Sequence, residues 1–419
     1  MMKKKRFAYR VYPTVDQQQV LARSFGCARA VYNDYVARRN ALFEAGENLA
    51  EDSDVTARKV LVDAKQPGGD RTYLAEVSAV MLQQSVRDAQ QGFANFFASV
   101  SGKRKGPKMR PPRLKSKRQT THKIRFTRNA NFRLEHVPGQ KWGWLKLPKM
   151  PPIKTRMTRV LPSEPSSVTI TQWADGTYEA SFVVEVAPKP ALAPTYQAAG
   201  VDLGITDLAI ITTDTGDARK VANPRMLKRA QRKLGRLQRS LSRRAKGSAN
   251  RNKARVKVAK QHRKVAHARK DYHHKVARQL VDETQALAVE DLHVAGLITN
   301  RRLAKAISDV GWGMLQRLIR EKANEAGRQV HVIDRFYPST QLCSTCGHKD
   351  GKKPLHIRSW ACSACGTVHD RDINAAKNIM IAAGLSEIAN DCGGCIRPHP
   401  GDGSPYEAVT PSQHAPQTA

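Results

Sequence analysis

Acidic residues are scarce in this 419-residue sequence: 36 Asp and Glu stand against 72 Lys and Arg, a formal net charge of +36. Between residues 219 and 270 there is no acid at all, while 21 positions are Lys or Arg. An excess of that size excludes a merely solvated surface and predicts a polyanionic partner. Long apolar runs are missing too: none approaches the roughly 20 residues that cross a bilayer. Lys3-Lys4-Lys5-Arg6 leads into strand-like FAYRVYP instead of a signal peptide's apolar core. Nucleic acid is therefore placed ahead of an acidic membrane surface, no membrane partner is expected, and the chain is read as cytoplasmic and nucleoid-associated. A His-x-His element is absent as well. That excludes DNA strand transfer of the tyrosine type, which needs a His pair beside its nucleophile.

Cysteine is nearly absent until late in the chain. Of seven, Cys27 stands alone in a helical pattern and reads as a small core residue. The other six form three Cys-x-x-Cys pairs, which in a cytosolic protein point to metal more than to disulfides. Cys343-Ser-Thr-Cys346 and Cys362-Ser-Ala-Cys365 are each followed by a glycine, Gly347 and Gly366, that frees the backbone to turn toward a tetrahedral ion. The spacing predicts a four-thiolate zinc ribbon with one structural zinc and no open coordination position. His348 and His369 are surplus to such a site. Cys392-Gly-Gly-Cys395 has no partner pair and lies in a Gly/Pro-rich tail.

What is present along the chain sorts into segments. Thr14 and Gln17 have capping-box spacing, and Leu21, Phe25, Ala28, Tyr32 and Tyr35 recur on one helical face. A second amphipathic helix runs from about Ser78 to Ser99 on the stripe Leu82, Val86, Ala89, Phe93 and Phe96. Its polar face carries Gln83, Gln84 and Arg87, residue types that can read base edges. GKRKGPKMRPPRLKSKR, with Arg110, Arg113 and Lys115, reads as an extended arm along phosphates or as a disordered linker. Residues 124–186 alternate like strands, and SVTITQWADGTYEASFVVEV is a hairpin with Asp175-Gly176 at its turn. A Pro/Ala-rich linker, 187–197, marks the domain boundary. The acid-free stretch is helical in composition, with a break at Gly247-Ser248 and a narrow seam of Leu234, Leu237, Leu241, Val256, Ala259, Val265 and Ala266. Arg236, Arg243 and Arg244 on these helices are expected to make sequence-blind phosphate contacts.

The few acids are placed with purpose. GVDLG puts Asp202 on a first strand followed by Gly204, which is expected to leave a gap for a substrate's close approach. QALAVEDL ends an apolar strand at Glu290, and HDRDINAAKNI opens a helix with Asp370 and Asp372. An Asp-x-Gly turn serves either an actin-like ATPase or a nuclease of the ribonuclease H type. The ATPase needs a second phosphate loop and a Gly-Gly turn, and neither occurs between Glu290 and Cys343. Three carboxylates converging at one edge of a mixed sheet repel one another unless hard cations neutralise them. Two Mg²⁺ ions, held by Asp202, Glu290 and an acid at the start of the final helix, fit that need and the hydrolysis of a phosphodiester; Mn²⁺ would substitute.

The ordered motifs GVDLGI, VEDL, YPSTQLCSTCG, WACSACG and HDRDINAAKNI resemble the TnpB (OrfB) proteins of insertion sequences, compact relatives of type V CRISPR effectors. RVYPTVDQQQVLARSFGCARAVYN is similar to that family's N-terminal region, once described as a helix-turn-helix. The likeness spans residues 3–398. It implies an α/β multidomain protein: a RuvC-like (ribonuclease H-type) nuclease domain with an inserted zinc ribbon, a small β-barrel wedge domain and a helical recognition lobe. The implied boundaries are a wedge strand at 1–12, a helical recognition domain at 13–101, and the wedge β-domain with its basic arm at 102–187. The nuclease follows in two parts, 198–340 and 368–391, around the ribbon at 341–367, with a flexible tail at 392–419. The family's catalytic acids fall on Asp202, Glu290 and Asp372, with Asp370 a neighbour. The resemblance further implies an RNA-guided DNA endonuclease whose guide RNA, from the transposon end, pairs with target double-stranded DNA beside a short motif. Gln83 faces that motif on this analogy, one site cuts both strands in turn, and the protein is monomeric in the complex. The competing expectation is a silent relative that binds DNA through its guide without cutting.

Overall fold

The computed structural model describes residues 2–46, 61–62, 71–118, 121–188, 190–195, 197–354 and 356–386, with strand fragments at 388–389, 395–396 and 408–409. The expected flexible tail, 392–419, lies otherwise outside the described residues, as do the side chains of Cys392 and Cys395. Two compact units are present, one of Met1–Pro188 with Gly247–Lys260, the other of Lys189–Lys246 with Gln261–Ala419.

The first unit is built on an antiparallel sheet of seven strands: β1 (Lys3–Tyr12), β2 (His122–Thr127), β3 (Arg133–Glu135), β4 (Trp142–Leu147), β5 (Met150–Arg156), β6 (Ser167–Gln172) and β7 (Tyr178–Val186). Their order is β2-β6-β7-β1-β5-β4-β3. β1 pairs with β7 along Lys3 to Val11 and with β5 through Val11 and Tyr12, so the N-terminal strand joins the two halves. In place of a closed barrel ladder, β2 and β3 stand at the sheet's edges. The β6–β7 hairpin turns at Gly176, whose φ is +78°, and the Asp175 carboxylate accepts from the Thr177 N–H and hydroxyl. One helix, α1 (Val15–Glu44), follows β1 without any intervening turn, and both bonds of its Thr14/Gln17 capping box form. Its apolar stripe and that of α2 (Ala79–Val100) join the inward face of the sheet in a single core.

That packing corrects two expectations. Gln84 is buried at 5% exposure and is not available to a base edge, whereas Gln83 and Arg87 are exposed. The period of 3.6 places Gln84 beside Met81 and Ser85, on the face whose Ser85 hydroxyl donates to the Ala28 carbonyl of α1. Lys115 is likewise turned inward: its ammonium sits 3.4 Å above the Tyr32 ring, and its backbone N–H and carbonyl both bond the Asn33 amide. Burial draws its pKa down. The arm is thus docked along α1, with Arg110 and Arg113 left exposed.

The second unit holds a mixed sheet of β8 (Ala198–Asp202), β9 (Asp207–Thr213), β10 (Ala218–Ala222), β11 (Ala286–Glu290) and β12 (Gln329–Ile333), in the order β10-β9-β8-β11-β12. β8, β9 and β10 run antiparallel, while β8, β11 and β12 are parallel. The basic stretch forms α3 (Met226–Ser242) and α4 (Ala249–Glu283), broken around Gly247 at φ +88°. Arg236, Arg243 and Arg244 are exposed. The part of α4 up to Lys260 belongs to the first unit, where Ala254 is buried; in the second unit Leu234 and Val265 are buried and Ala266 is turned outward. α5 (Trp312–Ala326) and α6 (Arg371–Ala382) complete the framework around the sheet. No described helix is long and apolar enough to cross a membrane.

Candidate active site and metal centre

Side chains alternate along a strand, so residues two apart share a face. On β8, Gly200 and Asp202 face one way; on β11, Ala288 and Glu290 do. Parallel pairing of Val201 with Val289 brings the two acids to the same level at the carboxyl ends of adjacent strands. α6 crosses this face directly. A Cβ on Gly200 would lie 2.0 Å from the Ala376 carbonyl oxygen, and Ala288 packs in a small cluster with Ile379. Asp372 lies one helical turn before Ala376, on the same face, and is thereby carried toward the two strand acids.

The electrostatics record the convergence. Burial first, then the charges of Glu290 and Asp372, push the Asp202 carboxyl up to about 7, against the Leu203 N–H and Arg371. Burial also raises Glu290, although the Ser339 hydroxyl donates to its Oε1 at 2.8 Å. Arg358 donates to both oxygens of Asp372 at 3.2 Å. Asp370 is committed elsewhere: its Oδ1 caps α6 by accepting from the Asp372 and Ile373 N–H groups, and its Oδ2 accepts from Lys220 at 2.7 Å.

A raised carboxyl has a definite consequence for stability. The unfolded Asp202 ionises near 3.8 and the folded one near 7, so the folded state holds the extra proton between those values. Stability contributed at this position falls as pH rises through that window and stays low above it. Asp202→Asn removes the penalty, worth on the order of a few kcal/mol. In Mg²⁺-free buffer with zinc left in place, the variant should melt several degrees above the parent at pH 8. The gap should narrow markedly at pH 5, as read by differential scanning calorimetry; an equal gap at both would refute this charge frustration.

Gly204 corrects a third expectation. A Cβ there would meet the protein's own Asp207 carbonyl at 2.8 Å, so the glycine serves the β8–β9 turn and opens no gap for a substrate. The turn is pinned from α5, whose Trp312 Nε1 donates to the Gly204 carbonyl at 3.1 Å. One turn along, buried Gln316 donates to the Glu290 carbonyl at 2.8 Å. A similar i, i+4 pair lies on α6. Asn374 donates to the Leu342 carbonyl and accepts from the Ser344 N–H, while Asn378 donates to the carbonyls of Ser339 and Leu342. These four side chains fix the segments bearing the acids and the cysteines. For Gln316, Asn374 and Asn378 the only signal in the sequence is a polar residue inside an apolar helical stripe; Trp312 gives none beyond its apolar ring.

The four sulfurs of Cys343, Cys346, Cys362 and Cys365 all lie within 4.8 Å of one another, the one such ligand group among the described residues. Each pair is a knuckle: Gly347 N–H donates to the Cys343 carbonyl and Gly366 N–H to the Cys362 carbonyl, both at 2.9 Å. Both glycines have φ near +70° (74° and 70°), as a turn of that kind requires. Burial, then the neighbouring sulfurs, push the Cys346 thiol up to about 12. Four thiols gathered this tightly fit a thiophilic cation such as Zn²⁺, with every position filled by protein. β13 (Ser359–Ala361) and β14 (Val368–Asp370) pair beside them. His369, read as surplus, has its Nε2 3.0 Å from the Cys343 sulfur and its ring 4.9 Å from that of Trp360. Because β14 runs straight into the α6 cap, the ribbon and Asp372 share one support. Cys362→Ser should lower bound zinc below one ion per chain by elemental analysis. Any Mg²⁺-dependent cutting should fall at least about 10-fold; full activity without zinc would sever that link.

Comparison with known proteins bears on this arrangement. Residues 181–301 match the IS605 OrfB family model, described as "Probable transposase"; 312–379 match the "Cas12f1-like, TNB domain" and 1–48 a "Helix-turn-helix domain". The last match covers, among the described residues, one strand and one uninterrupted helix. The chain is 42% identical over 398 residues to a Streptomyces pristinaespiralis protein named "Putative RNA-guided DNA endonuclease", covering 94% of this chain and 92% of the other. It is 29% identical over 407 residues to InsQ of Escherichia coli, which has the same designation, covering 93% and 94%. The fold is similar to that of Cas12f1 in a complex with single-guide RNA and target DNA, at a TM-score of 0.52 and 12% identity over 90% of this chain and 98% of that one. By this likeness across nearly its whole length, the chain belongs to the TnpB (OrfB) family of insertion-sequence proteins.

Proposed function

We propose that this protein is the RNA-guided DNA endonuclease of an insertion sequence, cutting with a RuvC-type site formed by Asp202, Glu290 and Asp372. The observation that carries it is Asp202 faced by both other acids at the end of β8, in a chain of net charge +36. The names of its relatives agree. Two Mg²⁺ ions, when bound, supply an activated water and neutralise the leaving oxygen of a phosphodiester. Asp202 feels both other carboxylates, so it would be a ligand to such ions and would need to be ionised to hold them. Ser339 and Gln316 hold Glu290 in place, and Arg358 holds Asp372 by both oxygens. All three acids are present and Asp202 feels the charge of both others, which favours cutting over the silent, binding-only alternative.

Guide pairing would read the target sequence while the protein reads backbone and motif. Arg110, Arg113, Arg236, Arg243 and Arg244 are exposed for phosphates, and Gln83 and Arg87 for base edges. The complex is assigned one copy of the chain. RNA that co-purifies with the protein should be one species from DNA flanking its gene, and cutting should follow any new sequence written into its guide segment. Random cellular RNA, or cutting indifferent to the guide, would overturn the reading.

A further inference from the structure

Beyond the carboxyl end of β12 the chain turns through Asp334, Arg335, Phe336 and Tyr337. Phe336 is 84% exposed, more than any other large apolar side chain among the described residues. Apolar residues exposed singly need no explanation, but this one is set apart by where the fold holds it. Ile333, the last residue of β12, pairs with Glu290 in the parallel ladder, and the Asp291 N–H donates to the Ile333 carbonyl. Three residues beyond Phe336, the Ser339 hydroxyl donates to the Glu290 Oε1 at 2.8 Å. Phe336 therefore lies midway between two positions that both meet Glu290, and three residues of chain reach at most about 10 Å. Its ring stands at the edge of the sheet where Asp202 and Glu290 end their own strands.

The turn is anchored on every side. The Phe336 N–H donates to the Asp334 Oδ1 at 2.7 Å, and the Tyr337 N–H to the Asp334 carbonyl at 3.2 Å. Arg335 pairs with Asp291, Tyr337 packs against the cluster of Ile333 and Ile379, and Asn378 of α6 donates to the Ser339 carbonyl. These contacts hold the ring off the core, so it forgoes the burial that a phenyl side chain ordinarily gains. Between Ile333 and Ser339 the other exposed side chains are the charged Asp334 and Arg335. The ring is thus no part of an apolar patch that a protein partner would cover. One flat apolar surface beside acids suited to a phosphate's cations fits a nucleotide, whose base can stack while its phosphate lies in the site. In a duplex the faces of each base are covered by its neighbours, so stacking selects an unpaired one.

We infer that Phe336 seats the substrate of the nuclease site, its ring stacking on a base of the DNA strand next to the phosphate being cut. The inference rests on the guided-nuclease reading above and adds a base contact at the cut itself. Because pairing with the guide tethers the strand, losing the stack changes how often the strand is seated, not how tightly the target is held.

The test uses the full chain with its guide RNA and a target already unpaired around the mapped cut. Phe336→Ala should cut about 10-fold more slowly at saturating target, with target affinity and melting temperature unchanged. Phe336→Trp restores a flat ring and should recover most of the rate, which a merely structural role would not allow. An abasic nucleotide, placed in turn at each position flanking the cut, should slow the parent by a similar factor at one of them. At that position it should slow Phe336→Ala no further. Losses that multiply would show that ring and base act separately and would overturn the stack, as would a parent indifferent to every abasic position. Parental cutting by Phe336→Ala would overturn it too and leave the ring to a protein partner. A parent that cuts without its guide, or an Asp202→Ala protein that cuts, sinks the guided-nuclease reading. A parent that depends on both guide and Asp202 but not on Phe336 sinks the stack alone.

Discussion

Asp202→Ala protein should bind its guide RNA as the parent does and cut no target. Position matters here more than identity. Asp202 is the one carboxylate whose titration both other acids shift, so on the proposed reading its removal would take away the ligand best placed to hold the catalytic metal. Metal assistance to a phosphodiester displacement is worth several kcal/mol, and at about 1.4 kcal/mol per factor of ten the rate should fall by about 1,000-fold or more. Unfolding is checked with Asp202→Asn, which keeps the side chain's size, should melt above the parent in Mg²⁺-free buffer at pH 8, and should still cut no target. Glu290→Gln and Asp372→Asn should fail in the same way. Asp370→Asn supplies the contrast. Its side chain caps α6 and pairs with Lys220, so its loss should cost about 1 kcal/mol of stability and leave most of the rate intact. Cutting at the parental rate by Asp202→Ala, measured at saturating guide and Mg²⁺, would remove the site from its assigned place.

The acids were legible in the sequence because carboxylates are rare in this chain and each follows a strand or opens a helix. The cysteine knuckles were legible because their spacing and their trailing glycines are themselves the geometry of a tetrahedral site. Other parts were hidden for equally physical reasons. Gln83 and Gln84 are the same residue type one position apart, and only the packing of α2 on α1 decides which of them meets solvent. Lys115 has the composition of a phosphate contact, but Tyr32, 83 residues earlier, takes its ammonium. Gly204 reads in the sequence as a gap for a substrate, although its constraint is the local Asp207 carbonyl. Gln316, Asn374 and Asn378 are polar residues inside apolar stripes, and a stripe gives no hint that a carbonyl from another element waits opposite. Arg358 was one of 72 cations until the fold set it on Asp372. Local chemistry can be read along the chain; which distant group completes it depends on tertiary packing.

Gly200 shows how far that completion constrains a single position, and Gly200→Ala should be nearly as damaging as losing an acid. The added Cβ would lie 2.0 Å from the Ala376 carbonyl oxygen, 2.9 Å from the Met380 Cβ and 3.1 Å from the Ala376 carbonyl carbon. None of these atoms lies at the end of a flexible side chain, so no rotamer change makes room. α6 must back away from β8, by about an ångström if only the closest contact is relieved. Overpacking of that kind costs about 1–3 kcal/mol of stability. The loss of function should be larger, because Asp372 rides one turn away on the same helix face and retreats from Asp202 with it. A displacement near 1 Å in a preorganised site can cost about 100-fold in rate. Guide RNA binding should be unchanged, since no basic residue is touched. Gly313→Ala is the control: the nearest atom to its added Cβ is 3.9 Å away, and replacing a helical glycine should be neutral or stabilising. Because the obstacle is backbone, adding Ala376→Gly should not restore Gly200→Ala, whereas a side-chain clash would be relieved. Recovery of cutting in that double variant, or parental cutting in Gly200→Ala alone, would show that Asp372 does not depend on the close crossing of α6 over β8.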